Sequence, residues 1–152
     1  MAPVPPPNRT AEDLIHRFAA EHDDLRDALD AIREAAGLLS AQDAPGSLAA
    51  VRHVDHLLTT RLLPHEYAEE HQLYPALNRQ LGGPETTETM SRAHTEIARL
   101  SRRITTHLRM ADEAGALKAE QLDDLRACVY GLHSVLRLHF SQEEESYFSL
   151  AP

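Results

Sequence analysis

The chain has 152 residues, with 15 basic and 24 acidic side chains and a formal net charge of −9 at pH 7. This length suits one domain with a single hydrophobic core, and the negative charge argues against a nucleic-acid partner. The one cysteine, Cys128, excludes an internal disulfide. With neither a signal-peptide pattern nor an apolar run of about 20 residues, the chain is expected to be soluble, cytoplasmic and not bound to a membrane.

The first nine residues are proline-rich and predict an extended tail, and the domain is expected over residues 10–152. Thr10, with Asp13 three residues later, is a typical helix N-cap. The stretch "AEDLIHRFAAEHDDLRDALDAIREAAGLL" then repeats apolar residues at steps of three and four. This pattern predicts a first helix, with its break marked by Gly37 and then by "SAQDAPGS".

Three more helices follow the same period. The second is predicted from about Ser47 to about Gln80, with a kink at Pro64 and a break or bend at Pro75. The third is predicted to begin near Pro84, and "ADEAGALKAE" predicts a loop before the fourth. No stretch alternates apolar and polar residues as a strand would. The sequence therefore predicts an all-α, up-down-up-down four-helix bundle.

Two similar phrases recur in the chain: "HEYAEEHQLYP" at residues 65–75 and "HFSQEEESYFS" at residues 139–149. Each has a histidine, a glutamate four residues later and an aromatic residue at the tenth position. Ten histidines and 24 acidic residues in 152 would produce roughly 1.6 such His-x-x-x-Glu pairs by chance. The spacing alone therefore also fits solvated pairs worth about 0.3 kcal/mol each.

The position of these pairs on their helices favours a buried site. At about 100° per residue, Glu69 lies about 40° from His65, within the apolar stripe that also contains Leu62. Glu143 has the same relation to His139. A carboxylate in a core is destabilising unless it is paired or bound to a metal, so the two pairs need a common explanation.

Single histidines in the apolar stripes of the first and third helices, His22 and His94, supply that explanation. These two histidines are 72 residues apart, and corresponding members of the two His-x-x-x-Glu pairs are 74 residues apart. The chain is thus interpreted as two helical hairpins, each with one histidine on its first helix and His-x-x-x-Glu on its second. We expect a two-metal site at the bundle axis, formed by His22, His65, Glu69, His94, His139 and Glu143.

The other polar residues near these faces are expected to play structural parts. Cys128 is expected to be a small buried apolar residue, and Glu144 and Glu145 are expected to lie on a solvated face. The remaining histidines lie off the ligand faces, at least about 100° from the stripe centres in four cases. Surface positions are expected for His16, His71, His107 and His133, and no role is assigned to His53 and His56.

Four imidazoles and two carboxylates suit iron, manganese or zinc, and two symmetric halves favour a carboxylate-bridged pair of irons. A metal-free bundle with histidines satisfied in its core is the alternative. The pattern His22, His65-x-x-x-Glu69, His94, His139-x-x-x-Glu143 resembles the hemerythrin-like HHE cation-binding family over about residues 10–150. This resemblance implies two non-haem iron ions, one bound by the first two histidines and the other by the last two. Both glutamates and an oxo, hydroxo or water oxygen would bridge the irons.

The chain departs from the oxygen-carrying hemerythrins, which have a fifth histidine on the third helix and His-x-x-x-x-Asp on the last. Met90 and Ala98 stand four residues either side of His94, so one ligand is missing. Glu66, beside His65, is the candidate extra ligand. Tyrosines are not expected to serve on straight helices, because Tyr67, Tyr74 and Tyr130 lie off the ligand face and Tyr147 lies a turn beyond Glu143.

These features predict a diiron protein that binds or reacts with a small oxidant (O₂, H₂O₂ or NO), including catalase-like removal of peroxide. Two alternatives stay open. One is a non-catalytic O₂ or NO sensor or an iron-binding or storage protein. The other is a diiron oxidase or oxygenase that acts on an organic substrate. No catalytic residue is predicted beyond the metal ligands, and the oligomeric state is not predicted.

Overall fold

A computed structural model describes residues 10–40 and 44–151 of the chain, and nearly all of them are helical. The long helices are α1 (Ala11–Ser40), α2 (residues 44–81), α3 (Glu88–Ala114) and α4 (Ala119–Ser146). Both α1 and α3 pack against α2 and α4, and the described residues contain no strand. The predicted all-α four-helix bundle is therefore confirmed. The predicted tail, residues 1–9, lies outside the described residues.

The first helix begins and ends close to the predicted positions. The Asp13 N–H donates to Thr10 Oγ1 at 3.1 Å, which is the expected N-cap. The helix passes through Gly37 and ends at Ser40, the first residue of the predicted break "SAQDAPGS". A glycine costs about 1 kcal/mol inside a helix. That cost is smaller than the gain from burying Leu39, which is 1% exposed.

The connection after α3 is shorter than predicted, and the connection before it is longer. The helix continues to Ala114, so the loop predicted over residues 111–120 is reduced to residues 115–118. Gly115, whose φ is 79°, ends α3 in the left-handed conformation. Pro84 starts a short 3₁₀ turn, Pro84–Thr86, and α3 itself begins at Glu88. Among the described residues, no helix is long and apolar enough to cross a membrane.

Helix α2 contains two π-helical turns, in which backbone bonds reach back five residues. The Tyr74 N–H, for example, donates to the Glu69 carbonyl. Pro64 and Pro75 are each the second residue after a π turn, and the changed bonding ahead of each proline lets the helix continue. The break predicted at Pro75 is therefore wrong, because α2 continues through it, whereas the kink at Pro64 and a bend at Pro75 stay predictions. The α-helical segments of α2 are Ala44–Leu57, Leu63–Ala68 and Tyr74–Leu81, and its π turns are Leu58–Leu62 and Glu69–Leu73.

The core consists of two apolar clusters with a polar layer between them. The order is visible on α1, where Phe18 belongs to the smaller cluster and Leu25 to the larger one, with His22 between them. The same order holds on the other helices. Residues that face the layer from the smaller cluster include Leu73, Met90 and Tyr147, and those from the larger cluster include Leu62, Ile97 and Leu136.

Two glycines in different backbone conformations, Gly82 and Gly131, provide a test of the fold. Gly82 ends α2 with a φ of 98°, so Gly82→Ala should lower the free energy of unfolding by about 1 kcal/mol. Gly131 lies inside α4, and a Cβ there would meet Leu100 Cδ1 at an ordinary 3.7 Å. Gly131→Ala should therefore raise that free energy by about 0.5–1 kcal/mol. Urea denaturation of both variants measures these changes, and changes of the opposite sign would contradict the assignment.

Candidate metal centre

The polar layer contains all six predicted ligands, and each is at most 7% exposed. Their nitrogen and oxygen atoms form two groups that share one carboxylate. In each group, one such atom from every member lies within 4.8 Å of the others. The arrangement can hold metal ions. The groups are His22, His65 and Glu69, and Glu69, His94, His139 and Glu143.

Glu69 lies between two imidazoles from different helices. Its Oε1 is 2.9 Å from His65 Nε2 on α2 and 3.6 Å from His94 Nε2 on α3. The side chain is 0% exposed, and neither of its oxygens has a hydrogen-bond partner among the described residues. Burial, with the nearby charge of Glu143, raises the pKa of Glu69 well above its usual range. A cation at this point would favour the charged carboxylate.

Glu143 has the matching arrangement on α4. Its Oε1 is 2.8 Å from His139 Nε2 on the same helix and 3.6 Å from His22 Nε2 on α1. Burial opposes its charge, but contacts with Glu69 and the two histidines outweigh burial and hold the pKa of Glu143 well below its usual range. Without a cation, Glu69 therefore favours its protonated form and Glu143 its charged form.

Several buried atoms of this layer lack a hydrogen bond although they face other polar atoms. Buried polar groups without a partner are rare in folded proteins because they are costly. Imidazole nitrogens and carboxylate oxygens are the donors that iron, manganese and zinc accept. The donor set therefore fits a pair of such cations. The atoms without a partner include His22 Nε2, His65 Nε2, both oxygens of Glu69 and Glu143 Oε1.

Tyr74 also faces the layer, contrary to the prediction. Its hydroxyl donates to Glu143 Oε2 at 3.0 Å and lies 3.3 Å from His94 Nε2. Its ring stacks on that of His94, with centroids 5.3 Å apart. Five residues of α-helix would turn Tyr74 about 140° away from Glu69. The π turn between them lowers the rotation per residue, which brings Tyr74 back toward the face of Glu69. The aromatic residue at the tenth position of both phrases was the available signal.

Glu66, the candidate extra ligand, is 4% exposed, and its Oε1 has no hydrogen-bond partner among the described residues. Burial, followed by the charges of Glu143 and Glu70, raises its pKa well above the usual range. It belongs to neither group of mutually close ligand atoms. Its role as a ligand therefore stays a prediction.

Glutamates outside the layer contact the ligand imidazoles at Nδ1, the nitrogen that faces away from the layer. The sequence analysis did not predict these contacts. Glu144 was expected on a solvated face, yet its Oε1 lies 3.3 Å from His22 Nδ1 and accepts from Arg26 at 2.6 Å. Glu70 Oε1 lies 2.8 Å from His94 Nδ1. Carboxylates behind metal-binding imidazoles orient the rings and raise their basicity.

One of the histidines expected at the surface is buried. His107 is 9% exposed, and its Nε2 lies 2.6 Å from Asp124 Oδ2, so this pair joins α3 to α4. Cys128 is buried as expected, and its thiol donates to the same carboxylate oxygen at 3.7 Å. Burial raises the pKa of this thiol, which does not favour a nucleophile. His133 is partly exposed, and exposed positions are occupied by His16, His53, His56 and His71.

Tyr74→Phe tests the contact between Tyr74 and Glu143. It removes a hydrogen bond to a carboxylate but keeps the ring, so the metal-free protein should lose about 1.5–3 kcal/mol of unfolding free energy. Tyr67→Phe is the matched control. Its side chain is 66% exposed, so the change should stay within about 0.5 kcal/mol. Equal values for the two variants in urea denaturation would show that the Tyr74 hydroxyl makes no such bond.

Glu66→Gln tests the raised pKa of the buried Glu66 carboxyl. In the parent, the folded chain keeps this proton at pH values where the unfolded chain has lost it. Stability therefore falls as pH rises above the ordinary Glu value of 4.5. Glutamine cannot ionise, so the metal-free variant should lose less stability between pH 4.5 and pH 8. Thermal melting across this range measures the difference, and an equal or steeper fall in the variant would refute it.

Comparison with known proteins agrees with this geometry. The family model of the hemerythrin HHE cation binding domain matches residues 13–151, which is nearly the whole chain. Neither the curated proteins nor the solved structures include a match. The match spans all four helices and all six residues of the polar layer. The chain belongs to the hemerythrin HHE cation-binding domain family.

Proposed function

We propose that this domain binds two iron ions and uses them to react with a small oxidant of the O₂, H₂O₂ or NO class. The observation that carries the proposal is the set of buried nitrogen and oxygen donors without hydrogen bonds. A pair of iron ions supplies reversible electron transfer to a bound oxidant. One iron would be held by His22 and His65 and the other by His94 and His139, with Glu69, Glu143 and an oxo or hydroxo oxygen as bridges.

The enclosure of the layer favours a small reagent over an organic substrate. Two surface grooves of about 370 Å³ each are large enough for an organic molecule. One is lined by residues such as Arg26 and His133, the other by residues such as Ala98 and Arg102. Neither groove includes any of the six proposed ligands, and the ligands are at most 7% exposed. A diatomic gas or a peroxide needs much less space.

The surrounding residues orient the ligands and exclude water. Phe140 stacks on the ring of His22 with centroids 3.9 Å apart, and Phe18 meets His65 edge-on at 5.6 Å. These apolar contacts restrict rotation of both imidazoles. The Tyr74 hydroxyl supplies a hydrogen-bond donor at Glu143 Oε2. The chain thus provides oriented nitrogens, two facing carboxylates and one protonated phenol in a nearly dry layer.

Among reactions with small oxidants, we favour disproportionation of peroxide, in which two H₂O₂ become two H₂O and one O₂. One peroxide is reduced and the other is oxidised, so the reaction needs no external reductant. An organic reductant would have to reach metal ligands that are at most 7% exposed. The buried layer therefore supports this reaction better than oxidation of an organic substrate.

Glu69→Ala tests the proposal directly. The parent protein, expressed with iron, should hold about two irons per chain, as carboxylate-bridged bundle centres do, and should consume H₂O₂. Loss of partners outside the ligand shell costs about 10–100-fold, so losing this ligand should cost more than about 100-fold in H₂O₂ turnover. Metal analysis and an oxygen electrode measure both quantities.

His53→Ala is the matched control, because this histidine is exposed and lies outside the polar layer. It should leave both the iron content and the H₂O₂ turnover unchanged. If Glu69→Ala also leaves them unchanged, the proposed centre is wrong. A parent that forms a stable O₂ or NO adduct without consuming peroxide would support a non-catalytic binding protein.

A further inference from the structure

The four imidazoles of the polar layer differ in what their outer nitrogens contact. The Nδ1 atoms of three lie near a glutamate oxygen, whereas His139 Nδ1 is buried and has no hydrogen-bond partner among the described residues. Three imidazoles therefore have a glutamate partner at Nδ1, and the imidazole of His139 has none among the described residues. The three pairs are His94 with Glu70 at 2.8 Å, His22 with Glu144 at 3.3 Å and His65 with Glu21 at 3.5 Å.

These contacts determine which nitrogen of each ring can bind a metal. A carboxylate accepts the Nδ1 hydrogen and leaves the Nε2 lone pair free, which is the form needed at the layer. Because Glu70 fixes His94 in this form, the hydrogen in the 2.9 Å contact between His94 Nε2 and His139 Nε2 comes from His139. We therefore assign to His139 the opposite tautomer. To bind a metal through Nε2, it must move its hydrogen to Nδ1, where none of the described residues accepts it.

The missing contact at His139 Nδ1 corresponds to one difference in sequence between the two hairpins. Glu21 directly precedes His22, and the residue that directly precedes His94 is Ala93. Within the first hairpin, Glu21 reaches His65. Within the second hairpin the corresponding contact would run from residue 93 to His139, and alanine cannot make it. By contrast, the glutamates that contact His94 and His22 are present in both hairpins: Glu70 and Glu144 are the sixth residues of the two repeated phrases.

The distances between carboxylates and imidazoles do not distinguish the two halves. The carboxylate oxygens lie 2.9 and 2.8 Å from the imidazole on their own helix, and both lie 3.6 Å from the imidazole on another helix. These distances give no reason for a difference in metal affinity, whereas partners outside the ligand shell can change affinity by about 10–100-fold. Here position A is the metal position of His22 and His65, and position B is that of His94 and His139.

We propose that Glu21 is a positioning residue that makes position A the tighter metal site, and that Ala93 leaves His139 unsupported and position B weaker. This inference rests on the proposed two-metal centre. It concerns the order and strength of metal binding, and not the reaction with oxidant. A chain loaded with less than two equivalents of metal would hold it mainly at position A.

Titration of the metal-free protein with Co²⁺, followed by its absorption and by a competing chelator, tests the inference. The parent should give two dissociation constants. Glu21→Ala should weaken the tighter constant by about 10–100-fold, and Glu21→Gln, which keeps an oxygen acceptor, should weaken it less. Ala93→Glu should supply the missing partner and tighten the weaker constant by about tenfold or more. Residue 93 is partly exposed, which leaves room for the longer side chain.

Asp23→Ala is the matched control, since it removes one negative charge next to His22 and its nearest charged partner is Arg26 at 3.4 Å. It should change neither constant. The inference is overturned if Glu21→Ala and Ala93→Glu both leave the dissociation constants within about threefold of the parent, because a carboxylate partner should change them by more. The two-metal centre would stand in that case. If the parent binds no Co²⁺, both the centre and the inference are overturned.

Discussion

The chemistry of this site depends on the burial of two carboxylates. Glu69 and Glu143 are both 0% exposed, and apolar clusters above and below keep water away from them. Charges in such a layer need nearby compensation, because the surroundings solvate them poorly. Imidazoles alone compensate only partly, as the opposite pKa shifts of the two carboxyls indicate. Metal binding and the stability of the bundle are therefore coupled.

Internal repetition explains why the inner shell is so regular. Two hairpins with the same pattern meet at the axis, and each glutamate lies between an imidazole of its own helix and one of another. The surrounding residues are less regular. Tyr74 places a hydroxyl against Glu143, whereas the corresponding Phe148 meets His22 edge-on at 4.6 Å with no polar atom. The two halves thus agree in spacing but differ in chemistry.

Helical periodicity predicted most of the fold, because burial on one side of a helix repeats with the helix itself. Local breaking signals were less reliable. Gly37 lies within α1, and α2 continues through Pro75. Each such residue costs about 1–3 kcal/mol in a helix interior, and burial of neighbours such as Leu39 offsets a cost of that size. A breaker therefore ends a helix only where packing beyond it is weak.

The sequence by itself determined which six residues share the bundle axis, since helix phase and the repeat of 72 and 74 residues place them on inward faces. Only the tertiary structure decided what surrounds them. Tyr74 reached the layer because a π turn changed the phase of α2, which a constant period cannot reveal. Glu144 and His107 found partners on neighbouring helices, 122 and 17 residues away. Such contacts depend on how helices pack, and no single helix encodes that arrangement.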